Sequence, residues 1–262
     1  MQNHSYWRTQ TPTKALFPDI EWSKPEQRSH AGRLGIIGGN KLGFAGVAEA
    51  YGVSLSTGVG EARALLPDAL KTTLPKTILD TRFAPTNVSG SLSKEALPTM
   101  QALGAWAQSV LLIGDAGRSS ETAIVYEEFV KTYTGQLVIT RDAVDLVKNS
   151  ANVLLERPDT LLVVSFAQLQ KLFQSVYYPK VLTFSMQLTN LVEALHKFTI
   201  TYPVSIAVLH RDTLIVASNG EVTSTAWENP MAIWRGTIAA KAAAYWLWNP
   251  AKPLEAITTS LI

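Results

Sequence analysis

The sequence predicts an α/β fold: a doubly wound, mostly parallel sheet with helices on both faces and an antiparallel hairpin added at one edge. Three observations carry this prediction. The run Val110-Leu111-Leu112-Ile113 is wholly apolar, as in parallel strands covered on both faces. Two such runs empty through glycine into segments of helical spacing. Ile36-Ile37-Gly38-Gly39 leads to a stripe at Val47, Ala48, Tyr51 and Leu55, and Ile113-Gly114-Asp115-Ala116-Gly117 leads to one at Val125, Phe129 and Tyr133. Late in the chain, Ser218-Asn219-Gly220 separates two strand-like runs, and Asn-Gly tolerates the positive φ of a tight hairpin turn. Strands that alternate with helices imply parallel crossovers.

Taken in order, residues 1–31 show little periodicity and several proline-flanked turns, which predicts an irregular N-terminal arm lying on a single domain of residues 32–262. The first strand is expected at 34–37 and the next helix at 45–56. Gly58 and Gly60 turn the chain into a strand at 61–66, ended by Pro67, and a further strand is expected at 77–83. Ser93 is placed to cap a helix carrying Leu97, Met100 and Leu103, with Pro98 in its first turn. After the strand at 110–113, Ser119 or Ser120 caps a helix that Gly135 stops. Strands follow at 137–140 and 161–164, then a helix from 166 to about 174. A longer helix has Leu188, Leu191, Leu195 and Phe198 on one face. A strand at 205–209, hairpin strands at 213–217 and 221–225, and a last helix at 231–248 complete the chain. Tyr245, Trp246 and Trp248 on that helix suit either the core or a subunit interface.

Composition narrows the function classes. The 23 basic and 21 acidic residues of the 262 leave a net charge of only +2, with no basic stripe for a nucleic-acid backbone. The chain has no cysteine, which excludes disulfides and thiolate zinc sites. His4, His30, His196 and His210 lack metal-ligand spacing. No Gly-x-Ser-x-Gly elbow occurs. Gly58-Val59-Gly60-Glu61-Ala62-Arg63 is an incomplete dinucleotide fingerprint that precedes a strand instead of a helix. The N-terminus lacks the apolar run of a signal peptide, and the apolar stretch 238–248 is interrupted by Lys241 and too short to span a bilayer. The expectation is a soluble cytoplasmic protein with no membrane, nucleic-acid or metal partner.

The candidate site residues gather at the glycine turns. A strand that ends at Gly38 and Gly39 before a helix exposes N–H groups suited to a phosphate, although such turns need glycine in any case. Asn40 shares that turn, and Lys41 is placed to neutralise an anion. Gly114, Gly117 and Arg118 repeat the arrangement, but Asp115 counts against a phosphate there because its charge would repel one. Asp142 follows a strand, where open α/β sheets bind ligands; its simpler role is as the N-cap of a helix at 143–148. The 38–40 and 114–117 turns are expected to lie together at the C-terminal edge of one sheet.

Four segments carry a family resemblance in their order along the chain. They are Ser29-His30-Ala31-Gly32-Arg33 leading to Ile36-Ile37-Gly38-Gly39-Asn40, then Leu55-Ser56-Thr57-Gly58-Val59-Gly60, then Ile113-Gly114-Asp115-Ala116-Gly117-Arg118, and Thr140-Arg141-Asp142-Ala143-Val144. Together they resemble the ADP/ATP-dependent NAD(P)H-hydrate dehydratases of the ribokinase-like fold, over about residues 20–248. The resemblance implies a lyase that uses ADP or ATP, with Mg accompanying the nucleotide, to dehydrate damaged NAD(P)H, the hydrate NAD(P)HX. It implies a binding set of Gly38, Gly39, Asn40, Lys41, Gly114, Gly117, Arg118, Asp142 and Thr213.

The later motifs depart from that family. Its Thr-Pro-His-Pro-Gly-Glu segment is Val163-Val164-Ser165-Phe166-Ala167-Gln168 here. Its Lys-Gly-Ala-x-Thr segment is Leu209-His210-Arg211-Asp212-Thr213, which keeps only the threonine. Its Gly-Ser/Thr-Gly-Asp loop, which carries the general base, is best aligned as deleted between Ala232 and Ile233, and no carboxylate stands there. These losses imply a divergent binder of an adenine nucleotide or dinucleotide whose dehydratase activity is reduced or lost, and the aromatic cluster of the last helix makes a homo-oligomer the expectation. One alternative is a working enzyme in which Asp142 supplies acid–base chemistry. Another is a structural or partner-binding subunit with no small ligand. With the loop shortened, Ile233 and Trp234 are expected to fill the phosphate end of the old site, with Trp234 substantially buried. Arg235 is the counter-signal, a guanidinium able to recruit an anion.

Overall fold

Among the described residues, ten strands make one sheet, in the order β1-β10-β9-β8-β7-β6-β5-β2-β3-β4. They are β1 (Trp7–Gln10), β2 (Arg33–Gly38), β3 (Glu61–Pro67), β4 (Thr81–Ala84), β5 (Ser109–Gly114), β6 (Gln136–Thr140), β7 (Thr160–Ser165), β8 (Val204–His210), β9 (Thr213–Ser218) and β10 (Glu221–Ala226). The computed structural model describes residues 5–74, 78 and 80–262. All the pairings are parallel except those of β9 with β8 and with β10. The hairpin turn falls at Asn219 and Gly220, both at positive φ, as the Asn-Gly signal requires.

Every residue of β5 is buried, because the sheet is covered on both faces. Val110 and Leu112 pack with buried residues of the helices Leu97–Trp106, Ser120–Thr132, Phe166–Ser175 and Leu188–Thr201. Leu111 and Ile113 pack on the opposite face with the helices Ala45–Thr57, Thr237–Trp248 and Pro253–Thr259. The period of two along each strand thus divides one apolar run between two cores.

Several boundaries differ from the sequence expectation. The N-terminal arm is not wholly irregular: β1 pairs with β10 and forms the sheet edge. Trp7 Nε1 donates to Ser224 Oγ at 2.9 Å, and Gln10 Nε2 donates to the Thr258 carbonyl at 2.8 Å. Four residues are too few to show periodicity, so this strand depends on tertiary pairing. The strand expected at 77–83 is observed as β4, and Thr77 and Leu79 lie outside the described residues. Ser93 precedes a short 3-10 turn, Lys94–Ala96, that leads into the helix Leu97–Trp106. Ser119 accepts the Thr122 N–H at 3.4 Å and caps its helix.

The last long helix is broken. Met231–Arg235 ends at Gly236, which has φ +88°, and Thr237–Trp248 begins directly after it. A Cβ at Gly236 would sit 2.4 Å from Ile113 Cδ1, so the close approach to the sheet as well as the positive φ requires glycine. Trp246 is buried in the core. A further helix, Pro253–Thr259, was not evident from periodicity and packs under the sheet edge. Among the described residues, no helix is long and apolar enough to cross a membrane.

Gly236→Ala is expected to lower stability by about 1–3 kcal/mol through backbone strain. Urea unfolding checks this as a lowered midpoint, and an unchanged midpoint would mean that the helix break relaxes freely.

Candidate functional site

The order of the strands places the site. From β2 the chain moves outward through β3 and β4, returns to β5 on the other side of β2, and then proceeds through β6, β7 and β8. The winding reverses between β2 and β5, and a crevice opens beyond the strand ends at such a switch point. The two glycine turns meet there: Gly39 N donates to the Gly114 carbonyl at 2.8 Å. A cleft of about 640 Å³ lies over them, lined in part by Asn40, Ser89, Asp115, Gly117, Arg118 and Asp142.

The backbone N–H groups in this cleft already have anionic partners. Asp142 accepts from the N–H groups of Asp115 at 2.7 Å, Ala116 at 3.0 Å and Gly117 at 3.2 Å. Gly114, Asp115 and Gly117 all have positive φ, and this turns their amides inward as an anion-binding nest. Asp142 therefore does not cap its own helix. The helix is Asp142–Leu146, with Arg141 at the N-cap position and no side-chain cap bond. Burial raises the Asp142 carboxyl above the usual carboxylate range and the nearby Asp115 charge adds to this, while the backbone bonds pull the other way.

Asp115 fills the second anion position. Its Oδ2 accepts the Gly46 N–H at 2.5 Å, in the first turn of the helix Ala45–Thr57, which has no side-chain cap of its own. A Cβ on Gly46 would lie 2.8 Å from that oxygen, so glycine is needed for the carboxylate to reach the helix end. Arg141 pairs with Asp115 and also donates to the Trp234 carbonyl at 2.6 Å. Arg141 itself has φ +58°, a costly conformation for a long side chain. Its carbonyl is held by Gln168 Nε2 at 2.7 Å. Beneath this network the buried Tyr126 hydroxyl has no hydrogen-bond partner among the described residues; burial, with the charges of Asp142 and Asp115, raises its pKa.

Asn40 is used structurally. Its Nδ2 donates to the Ser89 carbonyl at 3.0 Å and to Ser91 Oγ at 2.6 Å, and its Oδ1 accepts from Leu42 N at 2.9 Å. Lys41 is exposed, with its N–H on the Gly90 carbonyl at 2.8 Å. Arg118 is exposed at the rim. Thr213 is not brought into the cleft: it starts β9, beyond β6, β7 and β8, and its hydroxyl donates to Asp212 at 3.2 Å. The sequence reading missed the loop that closes the far wall. There Asn87 accepts from Ser89 N and Ser91 N and donates to Thr122 Oγ1 at 2.9 Å. The signal was present in Asn87-Val88-Ser89-Gly90-Ser91, a turn-forming composition.

A second cleft of about 490 Å³ shares Gly117, Arg118, Ser119 and Asp142 with the first, and adds Asp145, Lys148 and Lys171 among its walls. A third, of about 260 Å³, lies at the ends of β7 and β8 and is lined by Ser165, Phe166, Phe184, Leu209, Ile233 and Trp234, among others. The three departed motifs of the sequence thus converge on one apolar pocket. Ile233 is buried as expected, but Trp234 is 53 % exposed. The helix Met231–Arg235 ends at Gly236, and Trp234 turns toward the pocket rim instead of plugging it.

No protein-family model and no curated protein sequence matches the chain. Solved structures do. A ribokinase-like superfamily protein from Enterococcus faecalis V583 has a TM-score of 0.73 at 15% identity, over 98% of this chain and 86% of that one. The ADP/ATP-dependent NAD(P)H-hydrate dehydratase of Bacillus subtilis, co-crystallised with ATP/Mg2+, has a TM-score of 0.59 at 10% identity, over 94% and 84%. Phosphomethylpyrimidine kinase from Clostridium difficile 630 has a TM-score of 0.55 at 12% identity, over 87% and 96%. The chain has the ribokinase-like fold.

A phosphate does not fit on the two N–H positions as they stand, because Asp142 and Asp115 hold them. Nor, among the described residues, do three His, Cys, Asp or Glu side chains gather into a group able to hold a metal ion.

Asp142→Ala leaves three N–H groups without their acceptor and is expected to cost about 1–3 kcal/mol, read by thermal or urea unfolding. The raised pKa has its own consequence. The folded protein holds this proton more tightly than the unfolded chain, so the part of the stability that Asp142 contributes falls as pH rises from about 4 through the raised value. Asp142→Ala should lose that part of the slope.

Proposed function

We propose that this chain is a divergent NAD(P)H-hydrate dehydratase-like protein. It binds an adenine nucleotide or dinucleotide at the β2/β5 cleft, as a homo-oligomer, with dehydratase activity reduced or lost. The observation that carries this reading is the contrast between two places on one sheet edge. The cleft at the switch point is open and lined with polar groups. The place where the resemblance puts the general base and anion loop is lined mainly by Phe166, Leu209, Ile233 and Trp234, with Ser165 and Arg211 beside them and no carboxylate. Without a carboxylate the pocket has no positioned base, and losing one typically costs ~10²–10⁴ in rate.

Nucleotide binding is supported by the fold shared with a kinase and with a dehydratase co-crystallised with ATP/Mg2+. Any Mg would arrive with the nucleotide, since no metal-holding cluster occurs among the described residues. NAD(P)H or its hydrate enters this reading through the resemblance of the Gly38-Gly39-Asn40 and Gly114–Arg118 segments.

Thermal shift with ADP, ATP, NAD and NADPH is expected to show stabilisation by at least one of them. A ligand at 100 times its dissociation constant adds ~2.7 kcal/mol. Absence of any shift would favour a structural subunit. Incubation with NADHX and ADP or ATP is expected to give no turnover above a mock control. Turnover abolished by Asp142→Asn would establish a working enzyme.

A further inference from the structure

The nucleotide reading leaves open which end of the ligand enters the cleft, and the charges there bear on that choice. We propose that a nucleotide or sugar phosphate binds sugar-first, its hydroxyls meeting Asp142 on the floor of the first cleft. Its phosphate then lies outward, between Arg118 and Lys148 in the second cleft. This inference rests on the nucleotide reading and deepens it.

In this fold the glycine turns would be the natural phosphate cradle, but their amides are spent on carboxylates. The N–H groups of Asp115, Ala116 and Gly117 point at Asp142, and that of Gly46 points at Asp115. Arg141 offsets Asp115, whereas Asp142 has no cationic partner among the described residues. A phosphate on the floor would meet an uncompensated negative charge, with these four N–H groups already taken.

A carboxylate has about four acceptor sites, and three backbone N–H groups use three of them. The group lines both clefts. A sugar hydroxyl can donate to the remaining position without adding charge.

The two clefts share Gly117, Arg118, Ser119 and Asp142 as a common wall. The second contains Arg118, Lys148 and Lys171 against Asp142 and Asp145. Lys171 is already bonded to Asp145 at 2.9 Å. Arg118 and Lys148 are exposed and form no ion pair among the described residues, so they are the cations left to meet a phosphate. Arg118 stands on the wall common to both clefts, as a ligand spanning them requires.

Titration calorimetry with ADP and with adenosine tests this on wild type, Arg118→Ala, Lys148→Ala and the double variant. Both side chains are exposed, so the variants should fold, which circular dichroism checks. ADP affinity is expected to fall about tenfold for each cation removed, with adenosine affinity changing less than twofold. A double variant that binds ADP as wild type does would overturn the sugar-first placement and leave the nucleotide reading standing. Equal weakening of adenosine and ADP would overturn it as well, since the cations would not be acting on the phosphate. Wild-type protein that binds neither compound would overturn this inference, and the absence of a thermal shift with NAD and NADPH as well would remove the nucleotide or dinucleotide reading.

Discussion

The sheet edge of this protein is organised by carboxylates that satisfy backbone N–H groups. Asp142 ties the β5 turn to the start of the segment after β6, and Asp115 ties that turn to the helix after β2. Both turns contain residues at positive φ, Gly39 in one and Gly114, Asp115 and Gly117 in the other. An acceptor brought from another element is what makes these amides tolerable in a partly buried place. Arg141 then offsets the charge of Asp115 and fixes the start of the broken final helix through the Trp234 carbonyl. Strands β2, β5 and β6 and the segment before Gly236 are joined by three side chains, Asp142, Asp115 and Arg141.

That arrangement separates this chain from a phosphate-binding protein on the same scaffold. A helix N-terminus and a glycine turn attract an anion because their N–H groups are unsatisfied. Here the anion is covalently part of the chain, permanently present and already desolvated. The polar cleft beyond it is suited to hydroxyls on its floor and to negative charge at its outer rim. Farther along the same edge, Phe166, Leu209 and Ile233 line a pocket that is largely apolar.

The far edge of the sheet follows a different rule. The β8–β10 hairpin would end in an open strand, and β1 covers it. A bare edge offers unpaired N–H and C=O groups to other chains. Trp7 and Gln10 anchor the covering strand through Ser224 and Thr258, so the arm is tied to the domain by side chains as well as by its ladder.

What the sequence by itself determined was local. The apolar runs at β5, β6 and β7 marked strands covered on both faces, because burial on two sides removes every polar position. The 3.6-residue stripe through Val125 and Phe129 marked a helix, and Ser119 marked its start. Asn219-Gly220 specified the hairpin through its φ angles, and the sequence of glycine turns placed a candidate cleft at the correct edge. Even the conflict of Asp115 with a phosphate was visible from its charge. Only the tertiary structure decided where these charges act. Asp142 lies 27 positions from Asp115 in the chain and Asp115 lies 69 from Gly46, so no local pattern says which N–H receives which carboxylate. The same holds for β1, whose four residues become a strand only against β10, and for Trp234, which stays half exposed because Gly236 breaks its helix against Ile113. Periodicity reports what a segment does with its own backbone; partners across the sheet are chosen by the path of the chain.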